Sequence, residues 1–382
     1  MSLEKAELTF WDKYGEGILQ VLQSITVILI GFLGGGILMY LWGYDPVNAY
    51  KSMFIGNERY GMQGAFGGPL GWSTTLREFM FLLPSGLALG ICFLGGIFNI
   101  GVEGALYLGA FSSFVVGYLL PMPGGIVGRI LHPLLCMIVG AAVGGAWLFI
   151  PAILKVKRGA HEVVTTIMLN YIATFTTEML VVTAFLPKTG IVPGGILTPP
   201  VRDTAMVPPL PFAGGKEVTS GVIISLLIFG VIYYLMRGTT LGYMIKCVGS
   251  NPKAAEYGGI DVDKVTIILM VLSGVIGGLV GVLDVVFTEY RFNQAFSPGY
   301  GFTGIPIALI GRLNPVGILL ASFFIAALHV GARSLQPATG MPKEVSLAIE
   351  GMIVMFAALP GLFDMIRAYI RRRRVEEREE VK

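Results

Sequence analysis

Long apolar runs separated by short polar stretches dominate the chain. A helix needs about 20 apolar residues to cross the hydrocarbon core of a bilayer. Ten apolar runs occur, most of them near or above that length, at residues 18–41, 76–98, 106–120, 133–154, 163–185, 219–236, 265–287, 302–310, 316–330 and 345–370. The pattern predicts an all-α polytopic membrane protein with about ten transmembrane helices in a membrane domain at residues 18–370.

The eighth run, 302–310, is too short to cross a bilayer alone. Broken backbone at membrane depth is tolerated only where protein surrounds it, so we expect a buried half-helix here. Helices of this kind often line transport pathways. Gly101 and Gly301 each begin a G-x-x-G sequence followed by an apolar run. This echo is either an internal repeat or a chance match in a glycine-rich chain.

Lysine and arginine residues cluster in alternate loops between the runs. Such loops normally lie in the cytoplasm, so we expect both termini there, as a segment at 1–17 and a charged tail at 371–382. The loops at 42–75 and 187–218 are then external. The basic residues that define the cytoplasmic side are Lys155, Lys157, Arg158, Arg237, Lys246, Lys253, Lys264, Arg312, Arg367 and residues 371–374.

Composition agrees with a membrane location and argues against a polyanion partner. Only 13% of the residues are charged, against about 25% in a typical soluble domain. The formal net charge is +3, too small to indicate nucleic-acid binding. We therefore expect this chain to contact lipid and no nucleic acid.

Motifs for nucleotide binding, hydrolysis and metal binding are absent from the full sequence. It contains no G-x-x-x-x-G-K-[ST], no H-E-x-x-H and no G-x-S-x-G. The three histidines, His132, His161 and His329, are far apart, and Cys92 and Cys136 lie in apolar runs. We therefore predict a protein that is not an enzyme, with no catalytic residues, no metal site and no cofactor of its own.

Polar residues in the fifth run form the clearest intramembrane pattern. At 100° per residue, four side chains fall within about 80° of one another. Interhelical hydrogen bonding explains the threonines equally well, but we favour a substrate path for the asparagine because polar groups at membrane depth are costly. The four residues are Thr166, Asn170, Thr174 and Thr177, with Glu162 and Glu178 at the two ends of the stripe.

Other polar positions lie near breaks or ends of the runs. Asn99 and Glu103 flank Gly101 between two apolar runs, where they either contact a ligand or cap the following helix. Asp284 and Glu350 lie in the seventh and tenth runs. Each is either a functional charge or a residue reaching the membrane surface.

Small residues in the seventh run predict close helix packing. Gly274 with Gly278, and Gly277 with Gly281, give overlapping small-xxx-small spacings. Such spacings let two helix backbones approach closely. We therefore expect this helix to contact a neighbour over much of its length.

The loop at 237–264 contains clear start and stop signals for a short helix. Asn251 and Pro252 are favourable at a helix start, and Gly258 and Gly259 favour its end. Between them lie Lys253, Ala254, Ala255, Glu256 and Tyr257. We interpret this segment as a small helix that docks into a groove of a cytoplasmic partner, rather than as an ordinary connector.

The loop pattern GxxxxxxGxNPxAAxYxGI at 242–260 resembles the coupling loop of permeases in the ATP-binding cassette importer family that transports branched-chain amino acids, ribose and other simple sugars. The segments FNIGVEGALYLGA and EVVTTIMLNYIA are similar to the nucleoside and simple-sugar branch. The resemblance covers about residues 76–363. One departure is Ala105, where the family usually has glutamine, which weakens the substrate assignment if that glutamine contacts substrate.

The resemblance implies several partners in a prokaryotic cytoplasmic membrane. They are a second permease subunit, identical or different, a cytoplasmic ATPase subunit that binds the ATP, and an extracytoplasmic substrate-binding protein. It also implies that loop residues couple the permease to the ATPase, namely Asn251, Pro252, Lys253, Ala254, Ala255, Tyr257 and Gly258.

The resemblance to the nucleoside branch implies a nucleoside as substrate, and asparagine and threonine suit such a ligand because they offer hydrogen bonds without fixed charge. Tyr171 and Phe175 are candidates for stacking on a base, although packing on a neighbouring helix explains them equally well. The predicted path residues are Asn99, Glu103, Thr166, Asn170, Tyr171 and Thr174. The alternatives are a simple-sugar permease and a proton-coupled secondary transporter using Glu103, Asp284 and Glu350. A secondary transporter has no need of a docking loop.

Overall fold

The computed structural model describes residues 29–57, 62–185 and 198–357, and helices make up most of them. In chain order the helices are α1 (Leu29–Leu41), α2 (Pro46–Phe54), α3 (Pro69–Leu94), α4 (Val102–Leu119), α5 (Ile126–Arg158), α6 (Glu162–Leu180), α7 (Gly221–Gly238), α8 (Thr240–Ser250), α9 (Pro252–Tyr257), α10 (Val262–Phe287), α11 (Tyr300–Ile310), α12 (Pro315–Thr339) and α13 (Lys343–Ala357). A π-helical turn, Val181–Phe185, extends α6.

Within the described ranges, seven helices are long and apolar enough to cross a membrane. They are α3 to α7, α10 and α12, and each overlaps one of the predicted runs. The predicted runs at 18–41 and 345–370 are described only in part. α1 and α13 are the described parts of these two runs. The all-α polytopic class is therefore confirmed, while the count of ten spans stays a prediction.

Two helices begin before the apolar runs that predicted them, because polar residues or a proline continue the helix. α3 begins at Pro69, inside the predicted external loop at 42–75. The Ser73 and Thr75 hydroxyls donate to the backbone carbonyls of Leu70 and Ala65, so these polar side chains fit the first turns. In α5, Pro133 lies within the helix rather than at its start.

Glycines bring α4, α5 and α10 into direct backbone contact. A Cβ atom added at Gly144 would overlap the Gly274 carbonyl oxygen, and one added at Gly278 would overlap the Gly140 carbonyl oxygen. Gly109 contacts the Gly278 backbone in the same way. We call these five glycines the glycine seam. The close packing predicted from the small-residue spacing is confirmed.

Two short antiparallel hairpins lie at one end of the bundle, which we call the hairpin end. β1 (Gly56–Asn57) pairs with β2 (Met62–Gln63), and β3 (Leu210–Pro211) pairs with β4 (Glu217–Val218). α8 and α9 lie at the opposite end, which we call the basic end. There the Lys155 ammonium lies 2.7 Å from the Glu162 carboxylate, joining α5 to the start of α6.

The segment between α10 and α11 runs back into the bundle along α4. Phe292 packs edge-on against Phe111, with ring centroids 5.7 Å apart, and Phe296 packs on Tyr107 at 5.0 Å. α11 then begins beside the first turn of α4 and is only 11 residues long. The short run at 302–310 therefore forms a short helix that begins inside the bundle, as expected for a half-helix.

Candidate functional site

The backbone break between α3 and α4 gathers four of the predicted path residues, Asn99, Glu103, Thr166 and Asn170. Asn99 is fully buried. Its side-chain amide donates to the Ser273 hydroxyl on α10 at 3.0 Å, and its oxygen accepts from the Gly101 backbone at 2.8 Å. The side chain therefore holds the turn that starts α4 and ties it to α10.

Asn170 on α6 satisfies backbone groups of the same break. Its Nδ2 donates to the Ile100 carbonyl oxygen at 2.9 Å, and its Oδ1 accepts from the Gly104 amide at 2.8 Å. Thr166, one turn earlier, accepts from the Ile100 amide at 3.4 Å. Both ends of the Asn170 amide are bonded to protein, which supports interhelical hydrogen bonding. A cavity shared with Asn99 and a contact with substrate stay predictions.

Tyr171 and Thr174 lie on α6 but away from this break. Tyr171 is 61% exposed and stacks on Phe175 with ring centroids 6.3 Å apart. Thr174 is half-buried, and its carbonyl oxygen accepts from the Thr177 hydroxyl at 2.8 Å. The structure does not bring these two residues to the break between α3 and α4, and their contact with substrate stays a prediction.

Glu103 joins the beginnings of α4 and α11. Its side chain is buried, and Oε2 accepts from the Gly301 backbone amide at 2.7 Å. A carboxylate is favourable here because the first amides of a helix lack intrahelical partners and carry partial positive charge. The two G-x-x-G segments of the sequence thus meet in space, whether or not they form a repeat.

An ion network links α3, α12 and α13, with three mostly buried side chains and an Arg333 side chain that is 57% exposed. The Glu78 carboxylate, in the first half of α3, accepts from His329 Nδ1 at 3.0 Å and from the Arg333 guanidinium at 3.1 Å. His329 Nε2 lies 2.8 Å from the Glu350 carboxylate. We call these four residues the ion network. Glu350 therefore has a partner inside the bundle, and His329 lies at the centre of the network.

The sequence analysis missed Glu78 and the pairing of His329. Two signals pointed to them. Glu78 lies within an apolar run, where an ionisable side chain is costly and needs a partner. His329 and Arg333 are four residues apart, so they lie on one helix face.

A cavity of about 580 Å³ lies beside the ion network. Ser346 is 3% exposed and its hydroxyl has no hydrogen-bond partner among the described residues. Residues of α11, α12, α13 and the segment before α11 line the cavity: Pro298, Thr303, His329, Ala332, Arg333, Gln336, Ser346, Leu347 and Glu350.

Asp284 is buried rather than exposed at the membrane surface. It is 5% exposed, and its Oδ2 has no hydrogen-bond partner in the described part of the chain. The alternative that it only reaches the surface is therefore wrong. Its position follows from α10, which packs on α3, α4 and α5 along its length.

The docking segment forms the helix that its start and stop signals predict. The Asn251 side chain accepts from the Ala254 amide at 3.1 Å, Pro252 is the first helical residue, and the Gly258 amide donates to the Ala254 carbonyl oxygen at 3.0 Å. Tyr257 is 94% exposed.

The two alanines of α9 differ in exposure. Lys253 and Ala254 are exposed, whereas Ala255 is buried against its own chain at 5% exposure. The contact of both alanines with a partner stays a prediction. The Ala255 methyl group packs inside the loop because the chain turns back immediately after α9, where the Ile260 amide donates to the Ala255 carbonyl oxygen.

The helix before α9 packs directly on the end of α3. A Cβ atom added at Gly249 on α8 would overlap the Leu94 carbonyl oxygen, and Gly96 lies in van der Waals contact with the Gly249 backbone. This contact is possible only because position 249 lacks a side chain. A displacement of α8 and α9 would therefore reach the break that holds Asn99.

Long apolar helices with buried polar side chains between them define an all-α polytopic membrane protein. The family model described as the permease component of the branched-chain amino acid transport system matches residues 72–358. The chain belongs to this family.

Three characterised relatives are similar over nearly their whole lengths. The guanosine ABC transporter permease NupP of Bacillus subtilis is 32% identical, with 88% of this chain and 93% of the relative covered. The nucleoside ABC transporter permease NupB of Lactococcus lactis is 30% identical, with 91% and 93% covered. The glucose ABC transporter permease TsgB13 of Haloferax volcanii is 32% identical, with 94% and 91% covered. No solved structure matches the chain.

Proposed function

We propose that this chain is the permease subunit of an ATP-binding cassette importer that carries nucleosides across a prokaryotic cytoplasmic membrane. The observation that carries the proposal is the similarity to nucleoside permeases over most of the chain. The exposed helix α9 supports it, because a permease without an ATPase site of its own needs a surface through which a separate ATPase acts.

In this proposal the basic end of the bundle faces the cytoplasm. Lys155, Arg237 and Lys264 lie there, as expected for loops on the inner side. The hairpin end then faces outward, towards a substrate-binding protein. A second permease subunit packs beside this chain, and each permease contacts one ATPase subunit.

α9 is the proposed contact with the ATPase. Tyr257 presents almost its whole side chain to the partner, and the exposed Ala254 leaves room for a close approach. Movement of α9 is passed through α8 to Leu94 at the end of α3, because Gly249 rests on that backbone. The break that holds Asn99 and Glu103 would then shift with each cycle of ATP hydrolysis.

A simple-sugar permease is the second candidate. The glucose permease relative is as similar as the guanosine permease relative, at 32% identity. A sugar and the ribose of a nucleoside present the same hydroxyl groups, so polar side chains alone do not separate them. A proton-coupled secondary transporter is disfavoured, since such a protein does not need α9.

Uptake by the complete transporter tests the substrate. Cells lacking other nucleoside transporters are given the permease with its ATPase, second permease and binding protein. We expect labelled uridine to accumulate, and excess guanosine to compete while glucose and ribose do not. Competition by glucose alone would replace the nucleoside proposal with the sugar permease.

Substitutions in α9 test the coupling role. We expect Ala254→Trp and Tyr257→Ala to reduce uptake at least tenfold while the permease stays folded, because both change the surface offered to the ATPase. Lys157→Trp is the matched control, since it adds an exposed aromatic residue at the same end but outside α9. Full uptake with Ala254→Trp would contradict docking through this helix.

A further inference from the structure

We propose that the cavity between α11, α12 and α13 binds the uncharged, hydroxyl-bearing substrate during its passage, with Ser346 and Gln336 as specificity-determining hydrogen-bonding residues. This inference rests on the proposed transport function and names the place in the chain where the substrate is held. It adds residues that the pattern of the fifth apolar run does not reveal.

The size and lining of the cavity suit a small polar molecule. Its volume of about 580 Å³ falls within the range of about 300–1,000 Å³ typical of small-molecule sites. Thr303, Gln336 and Ser346 contribute uncharged polar groups, while Pro298 and Leu347 contribute apolar surface. A ligand with a ring and several hydroxyl groups matches such a mixture.

The charges around the cavity are already paired with one another. His329 lies between the carboxylates of Glu78 and Glu350, and the Arg333 guanidinium contacts both oxygens of Glu78. A charged ligand would have to displace one of these pairs and leave its partner without a counter-charge. An uncharged ligand can enter without breaking any of them, which favours a nucleoside or sugar over an amino acid.

Ser346 supplies an independent sign of a ligand. It is 3% exposed, lines the cavity, and has a hydroxyl without a partner among the described residues. Buried polar groups are normally hydrogen-bonded. A ligand hydroxyl in the cavity would provide the missing partner.

The ion network fixes the walls of this cavity. His329 and Arg333 project from α12, and their contacts with Glu78 and Glu350 hold α3 and α13 at a set distance from it. Gln336 is four residues after Ala332, and both line the cavity from the same face of α12. The network therefore acts as a positioning element, while Ser346 and Gln336 contact substrate.

Ligand protection of an introduced cysteine tests the site directly. The complete transporter carrying Ser346→Cys is placed in lipid nanodiscs and labelled with a maleimide, with and without uridine. A ligand that occupies its site about nine-tenths of the time slows labelling about tenfold. We expect that effect with uridine and no effect with leucine. Lys216→Cys, on the exposed turn between β3 and β4, is the control that uridine should not protect.

Labelling of the unsubstituted transporter measures the background from native cysteines. Cys92 and Cys136 are buried and Cys247 is half-buried, so this background is measured once and subtracted.

Uptake kinetics provide a second measurement that does not depend on a new cysteine. Removing one hydrogen-bonding group from a binding site weakens binding about three- to tenfold. We expect Ser346→Ala and Gln336→Leu to raise the KM for uridine by that factor with little change in the maximal rate. Ser322→Ala is the control, because the Ser322 hydroxyl is bonded within its own helix, to the Ile318 carbonyl oxygen.

The outcomes separate the site from the proposed function. Suppose that the unsubstituted transporter imports uridine, that uridine does not slow labelling of Ser346→Cys, and that Ser346→Ala and Gln336→Leu leave the KM for uridine unchanged. The site is then overturned and the function stands. If glucose, and not uridine, is imported and slows labelling, the site is supported and the nucleoside function is overturned.

Discussion

The glycine seam and the ion network are two opposite ways of holding transmembrane helices together. In the seam, Gly144 and Gly274 let the backbones of α5 and α10 touch. In the network, Glu78, His329 and Glu350 hold α3, α12 and α13 together through the ends of long side chains. The first arrangement leaves no space between helices, and the second leaves a cavity of about 580 Å³.

The difference shows which part of the bundle is suited to change during transport. Backbone contact through glycine is stabilised by many van der Waals contacts and has a single good geometry. Ion pairs at the ends of flexible side chains can separate and re-form as helices shift. The seam is therefore expected to behave as a rigid scaffold, and the network region as the part that admits substrate. Four substitutions test this comparison, ranked by their expected loss of folding stability.

The largest loss is expected for Glu78→Leu. Removing the shared carboxylate leaves His329 with Glu350 alone and takes a partner from Arg333, whose side chain is 57% exposed. We therefore expect a loss of about 3 kcal/mol, the lower end of the range typical of broken buried ion pairs. The free energy of unfolding in mixed micelles measures the effect.

The control for this substitution is an ion pair at the exposed hairpin end. Arg77 pairs with Glu289, and their side chains are 46% and 36% exposed. Glu289→Leu should cost no more than about 1 kcal/mol, because exposed ion pairs contribute little. Equal losses for the two substitutions would show that the network contributes no more than a surface pair.

Gly144→Ala comes next and tests the seam. The added methyl group would overlap the Gly274 backbone, which cannot move aside as a side chain can. Overpacking of this kind costs typically about 1–3 kcal/mol, and we expect the upper part of that range. Thermal unfolding of the purified permease measures it.

Gly230→Ala on α7 is the matched control, since a Cβ atom there meets nothing within 4 Å. If Gly144→Ala is as stable as Gly230→Ala, the helices of the seam are not in the contact described.

These two regions also show what the sequence can and cannot predict. The seam was predictable because Gly274 and Gly278 repeat at helical spacing, and such a pattern depends only on local order along the chain. The start and stop of α9 were predictable for the same reason. Helix bounds differed from the apolar runs where Pro69 is the first residue of α3 and Pro133 lies inside α5, since proline is compatible with both a start and a kinked interior.

The ion network and the cavity were not predictable in the same way. Glu78 and His329 are 251 positions apart in the chain, and their pairing depends on which helices become neighbours. The role of Asn170 was predictable only in part. Its polarity at membrane depth indicated an inward-facing residue, but its partners are backbone groups of the break, which carry no sequence signal.

Asn170→Leu tests the backbone break between α3 and α4, which lies between the two regions. The substitution leaves the Ile100 carbonyl oxygen and the Gly104 amide without their partner. Because intramembrane hydrogen bonds are individually modest, we expect a loss of about 1–2 kcal/mol. Uptake should fall in parallel with the amount of folded permease.

Thr177→Val on the same face is the control, because the Thr177 hydroxyl is bonded within its own helix. A fall in uptake much larger than the fall in folded protein would instead indicate that Asn170 contacts substrate.

The smallest loss of stability is expected for Tyr171→Leu, outside both regions. Tyr171 is 61% exposed and contacts Phe175 on its own helix, so its replacement should change the free energy of unfolding by no more than about 0.5 kcal/mol. If the exposed aromatic pair stacks on a base where this chain meets the second permease, the KM for uridine should still rise. Met168→Leu, one turn away and 60% exposed, is the control and should leave both quantities unchanged. An unchanged KM with Tyr171→Leu would remove the Tyr171 ring from the substrate path and be consistent with binding in the cavity beside the ion network.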